Sequence, residues 1–166
     1  MGTVVPRMRL LAIALVFGCG SDGEVAENRP DAQVAVGDPQ LPPQGHAPLK
    51  VWLAARHYDG WACEAAAHPA RPPGAHGTNR ICSNAALSAS ADGTYPVGAA
   101  SVKELYQNGA VTGFAVGIKL APGDAASSWY WYEAFGDSVI ADGVNRGICV
   151  NCHADAARDY VFTHVR

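Results

Sequence analysis

The sequence predicts a β-dominated α+β domain, an antiparallel β-sheet with flanking helices, and three observations carry that prediction. Gly113–Leu120 alternates cleanly, with Phe114, Val116, Ile118 and Leu120 on one face, the period-two signature of a half-buried strand. Ser128–Phe135 sets Trp129, Trp131, Glu133 and Phe135 opposite Tyr130, Tyr132 and Ala134. Gly98–Gln107 places Val102, Glu104 and Tyr106 on one face and Ser101, Lys103 and Leu105 on the other; the hairpin signal Asn108-Gly109 joins it to the next strand through two residues or more. Three consecutive strands divided by turn residues make an antiparallel meander.

The elements before the meander follow in chain order. Residues 1–19 read as an export leader: Arg7 and Arg9 precede the apolar run Leu10–Phe17, which is too short to span a bilayer. The run closes on Val16-Phe17-Gly18-Cys19, which resembles a bacterial lipobox; Cys19 then carries lipid, and an ordinary cleaved signal peptide is the alternative. Gly20 after the cysteine, rather than Asp, points to the outer membrane of a Gram-negative-type cell. Residues 20–46 are rich in Pro, Gly, Asp and Glu and read as a flexible tether. Residues 47–166 suit one domain. Within it, Pro48–Ala67 has Leu49, Trp52, Leu53, Arg56 and Trp61 at helical spacing. Pro69, Pro72, Pro73 and Gly74 end any regular element. Arg80–Asn84 reads as a short strand and Ala85–Ala91 as a helical turn. After the meander, Gly136–Gly147 reads as a loop and Ala154–Asp159 as helix.

Charge excludes one class of partner. Losing Arg7 and Arg9 with the leader takes the formal charge from −3 to −5, and a mildly acidic chain without basic clusters is a poor nucleic-acid binder.

The chemistry gathers near the C-terminus, at Cys149-Val150-Asn151-Cys152-His153. A C-x-x-C-H pentapeptide is the attachment signature of a c-type haem. Two thiols three residues apart reach the two vinyl groups of one porphyrin, and the adjoining His153 is held where its imidazole meets the iron. Redox dithiols and half zinc sites share the bare C-x-x-C; the following histidine and the exported context favour haem, with a disulfide, a metal site or coincidence as the alternatives. Of five cysteines, Cys19, Cys149 and Cys152 are then assigned, and Cys63 and Cys82 remain as a disulfide candidate in an oxidising compartment, with two buried thiols as the alternative. The only methionines are Met1 and Met8, both in the leader, so the His/Met ligand pair of an electron-carrier cytochrome is ruled out.

Tyr95–Tyr106 (YPVGAASVKELY), Trp129-Tyr130-Trp131-Tyr132, and the haem motif followed by Asp159-Tyr160-Val161-Phe162-Thr163 resemble the cytochrome P-460 family, with its cytochrome c′-beta relatives, in order and spacing over most of residues 47–166. The resemblance implies a mainly antiparallel β fold, a homodimer, one haem c and His153 as the proximal iron ligand. It implies oxidation of hydroxylamine, or binding of nitric oxide, at an open iron. In the hydroxylamine-oxidising members a lysine is cross-linked to the porphyrin, and the lysine of V-K-E-L, Lys103, corresponds to it; a snorkelling or salt-bridged lysine is the other reading. The family's enzymes carry a phenylalanine shortly before an arginine that matches Arg80. Here His76 stands nearest that place, either as a sixth ligand or proton-transfer group or as a turn histidine before Gly77. Arg80 steadies an anionic ligand or a haem propionate, or pairs with Glu104.

Other residues carry weaker signals. Trp129, Trp131 and Phe135 suit core or dimer interface. Glu133 is a proton shuttle or a salt-bridge partner, and Asp155 is a carboxylate near the motif. His46, His57 and His68 have no spacing signal; His164 reaches the site only if the tail folds back. Two function classes result. One is a haem oxidoreductase acting on hydroxylamine or nitric oxide and passing electrons to a periplasmic acceptor. The other is a non-catalytic gas-binding or electron-transfer haem protein.

Overall fold

Six strands lie side by side in the order in which the chain makes them, each antiparallel to the next. This computed structural model describes residues 1–2 and 41–166. All but the first two residues of the leader, Cys19 and most of the expected tether lie outside the described residues. The fold belongs to the unit that ends at Arg166; the other unit, Met1–Val34, falls almost wholly outside them. The elements are α1 (His46–Ala54), β1 (Ala62–Cys63), β2 (Thr78–Ser83), α2 (Ala85–Ser88), β3 (Ala100–Gln107), β4 (Ala110–Lys119), β5 (Trp129–Phe135), β6 (Ser138–Val144) and α3 (Gly147–His153). No helix among the described residues is long and apolar enough to cross a membrane. The β-dominated α+β class and the meander are as the alternation predicts.

Each sheet face has its own core. Val102, Val116, Ile118, Tyr130 and Tyr132 point to one side and pack under Leu49, Trp52 and Leu53 of α1. Trp129 and Trp131 point to the other and pack with Tyr95, Leu87, and Cys149 and Val150 of α3. The cross-strand pair Cys63 and Cys82 is a disulfide, tying the two-residue strand β1 to β2.

Four expectations need correction. The helix expected over Pro48–Ala67 stops at Ala54 because Arg56 adopts φ 56° and a Schellman arrangement closes the end. In it, the N–H of Arg56 donates to the Leu53 carbonyl and that of His57 to the Trp52 carbonyl. No glycine announces this stop. Gly136–Gly147 is not a loop: Gly136-Asp137 makes a two-residue turn, with Gly136 at φ 57°, into β6. Helix covers the C-x-x-C-H motif itself, while 154–159 is a series of turns. The expected tether ends earlier than residue 46. The Gly45 N–H donates to the Tyr130 hydroxyl at 2.8 Å, the His46 N–H to Asp142 Oδ2 at 2.9 Å, and the His46 ring meets the Tyr132 hydroxyl at 3.0 Å.

Candidate functional site

A cavity of about 270 Å³ opens on the Trp129–Trp131 side of the sheet. Its floor is the middle of the sheet, where Ser101 of β3 and Gly117 of β4 leave room beside Trp131; a Cβ on Gly117 would stand 3.5 Å from that indole ring. One wall is α3 and the tail behind it, with Ile148, Cys149, Cys152, His153 and 160–163. The other is the proline-rich loop between β1 and β2, with His68, Arg71, Pro72, Pro73 and His76.

The motif residues converge. Both thiols are free and half-buried. Burial, with the charge of Glu133 nearby, pushes the Cys149 thiol up to about 11, so it is protonated at neutral pH. The His153 ring sits 4.4 Å from the Trp131 ring and 5.5 Å from that of Phe162. Its Nδ1 donates to the Tyr160 carbonyl at 2.7 Å, which leaves Nε2 as the lone-pair nitrogen. Burial holds this imidazole neutral, with its pKa down at about 4.

Across the floor, Lys103 and Glu133 share one row. Ile81, Lys103, Ala115, Glu133 and Ala141 are cross-strand partners in sequence, so both ionisable side chains leave the same sheet face. Among the described residues Lys103 makes no hydrogen bond or ion pair. Burial lowers its pKa, against the opposing pull of Glu133 and Glu64, and so favours the uncharged amine. Glu133 instead approaches His76, with its Oε2 3.3 Å from Nδ1 but out of line for a hydrogen bond. Four buried side-chain polar atoms among the described residues lack a hydrogen-bond partner. Three of them, His76 Nδ1, Asn79 Oδ1 and Trp131 Nε1, belong to residues lining this cavity. Buried polar atoms are rarely left so, and their concentration sets the lining of this cavity apart among the described residues.

Some expected site residues are elsewhere. Arg80 leaves β2 on the opposite sheet face from its neighbours Asn79 and Ile81, pairs with Glu104 at 3.2 Å and donates to the Glu64 carbonyl. Alternation along the strand forces this; the guanidinium at the cavity is Arg71, whose position in a proline-rich loop carried no sequence signal. It is held by Glu64 at 2.6 Å, which also takes His68 Nε2 and the Ile81 N–H. Asp155 and His164 do not line the cavity; His164 meets the Tyr95 hydroxyl at 3.1 Å.

Compared with family models, with curated proteins and with solved structures, the chain gives no match.

Proposed function

We propose that this chain is an exported mono-haem c-type protein of the cytochrome P-460 kind, acting on or binding small nitrogen species such as hydroxylamine and nitric oxide. The observation that carries the reading is the convergence of both free thiols and the His153 imidazole on one wall of a largely apolar cavity. The donor set fits. Two thiols at this spacing form thioethers to one porphyrin, a neutral imidazole fixed through Nδ1 offers Nε2 to the metal, and Trp131, Ile148 and Phe162 supply apolar surface for the ring.

Haem, when bound, supplies a redox-active iron with an exchangeable coordination position. The chain's own residues supply the rest. Lys103, without a hydrogen-bond partner and pushed toward its neutral form, is the residue that the resemblance matches to the family's cross-linked lysine. His76 and Glu133 form a proton-handling pair for a bound nitrogen ligand. Arg71 replaces Arg80 as the cation for an anionic group at the cavity. A homodimer, a lipid anchor on Cys19, an outer-membrane location facing the periplasm and a periplasmic electron acceptor complete the proposal. The apolar walls also support the second reading, capture of a neutral diatomic gas without turnover as in the cytochromes c′-beta.

An absorption spectrum of the purified protein separates these readings, with haem content by mass spectrometry. A markedly red-shifted reduced Soret band supports the Lys103 cross-link and the enzyme. An ordinary high-spin haem c spectrum supports gas binding. A low-spin six-coordinate spectrum makes His76 a ligand and counts against both. Absence of covalent haem sinks the proposal, with a Cys149→Ala/Cys152→Ala double variant as the control.

A further inference from the structure

The Lys119 ammonium and the Asp159 carboxylate meet inside the protein, with side-chain exposures of 0% and 1% and N–O distances of 2.6 and 2.8 Å. Two buried charges are costly unless their remaining donors and acceptors are also used. Here they are. Lys119 donates as well to the Ser128 hydroxyl at 2.9 Å and to the Gly123 carbonyl. Asp159 also accepts from Trp129 Nε1 at 3.0 Å and from the Tyr95 N–H at 2.7 Å. Neither residue lines the cavity.

The carboxylate belongs to a strained turn. The Val161 N–H closes onto the Arg158 carbonyl at 2.9 Å, and both central residues have positive φ, 40° at Asp159 and 63° at Tyr160. This is the pattern of a type I′ turn, which glycine and asparagine enter readily and tyrosine resists, because its Cβ crowds the backbone. The turn directs the Tyr160 carbonyl at His153 Nδ1, 2.7 Å away. A carbonyl only accepts, so the proton stays on Nδ1 and the Nε2 lone pair is free. Outside the turn, Arg158 donates to the carbonyls of Ser90, Asp92 and Gly93 and lies 3.9 Å over the Tyr95 ring. The turn is therefore clamped on two sides, and its inner clamp is ionic.

We propose that the buried Lys119–Asp159 pair is a positioning device for His153, holding the strained turn that fixes the tautomer and angle of the imidazole. The geometry stands without a haem; its use as a clamp on an iron ligand rests on the function proposed above. A pair serving only the stability of the fold would leave the properties of His153 untouched in any variant that still folds.

The test reads His153 directly. In the isolated holoprotein, Asp159→Asn keeps the side-chain shape and removes the charge. It is expected to shift or split the ferrous iron–histidine Raman band and to move the midpoint potential, with covalent haem per chain unchanged. Tyr160→Gly removes the Cβ at φ 63° and keeps the carbonyl. Alone it is expected to leave the band in place; added to Asp159→Asn it restores the band, and where Asp159→Asn accumulates poorly Lys119→Gln is read in its place, with the same shift expected and an unchanged band overturning the proposal. An unchanged band in Asp159→Asn overturns the proposal, as does failure of Tyr160→Gly to restore it. Should the native protein carry no covalent haem, the functional reading falls and nitrogen NMR of His153 decides instead. One Nδ1-protonated tautomer in the native chain and a mixture in Asp159→Asn support the positioning role; one tautomer in both overturns it.

Discussion

The ring of His76 stands 6.4 Å from the ring of His153, centroid to centroid, and both line the same cavity. His153 is tied down through the Tyr160 carbonyl, whereas His76 sits in a loop at φ 70°, beside Gly77 at φ 54°, with Glu133 behind it. One imidazole is thus fixed by a backbone acceptor and the other is placed beside a carboxylate.

That asymmetry gives the first expected outcome. If His76 and Glu133 handle a proton, His76→Gln and Glu133→Gln each lower hydroxylamine turnover by about 100-fold or more without loss of covalent haem. Steady-state kinetics beside haem content by mass checks this, and equal turnover in all three proteins refutes the role.

Lys103 makes a stability prediction that needs no substrate. Lys103 is half-buried on the floor of a largely apolar cavity, so Lys103→Met is expected to raise the unfolding free energy, by about 1 kcal/mol, in protein that lacks the cross-link. Urea denaturation of the two proteins measures it. A destabilised Lys103→Met would mean that the ammonium has a partner.

Glu64 ties the loop wall of the cavity to pH. Burial alone would raise its pKa, but hydrogen bonds from the Ile81 N–H, Arg71 and His68 together bring it below its ordinary 4.5. A carboxyl depressed in the folded state contributes stability that is fully present above 4.5 and is lost as pH falls through the folded value. Glu64→Gln is therefore expected to be less stable than the native protein at pH 7, with the gap closing in more acid solution. Denaturation at pH 7 and at pH 3 tests the sign; a gap that widens in acid would refute it.

The sheet was legible where period-two alternation is strongest. Val116 and Ile118 against Trp129 and Trp131 announced the two faces of β4 and β5, and Asn108-Gly109 became a two-residue turn with φ 51° and 80°. What escaped was the work of single residues against their type. Arg56 ends α1 in a conformation usually left to glycine, and β6, with its Val139-Ile140 pair, was hidden by the Asp and Gly around it. In the site, the spacing of C-x-x-C-H marked the motif residues, whereas Lys103 was singled out only through the family resemblance. For Arg80 the sequence left a ligand-holding role and a pair with Glu104 open, and strand phase gives the pair; Arg71 was missed, since nothing local fixes the path of a proline-rich loop. The Lys119–Asp159 pair joins residues 40 apart that no local pattern connects.

Strand order carries a consequence for how the chain is put together. Because β1 to β6 occupy the sheet in sequence order, each new strand finds its partner already made, and β3–β4 and β5–β6 close through two-residue turns. The cavity breaks that rule, since its walls come from the loop before β2 and from the final turns of the chain. A chain released N-terminus first would zip its sheet before α3 arrives, so Cys149 and Cys152 would be the last reactive groups to be enclosed.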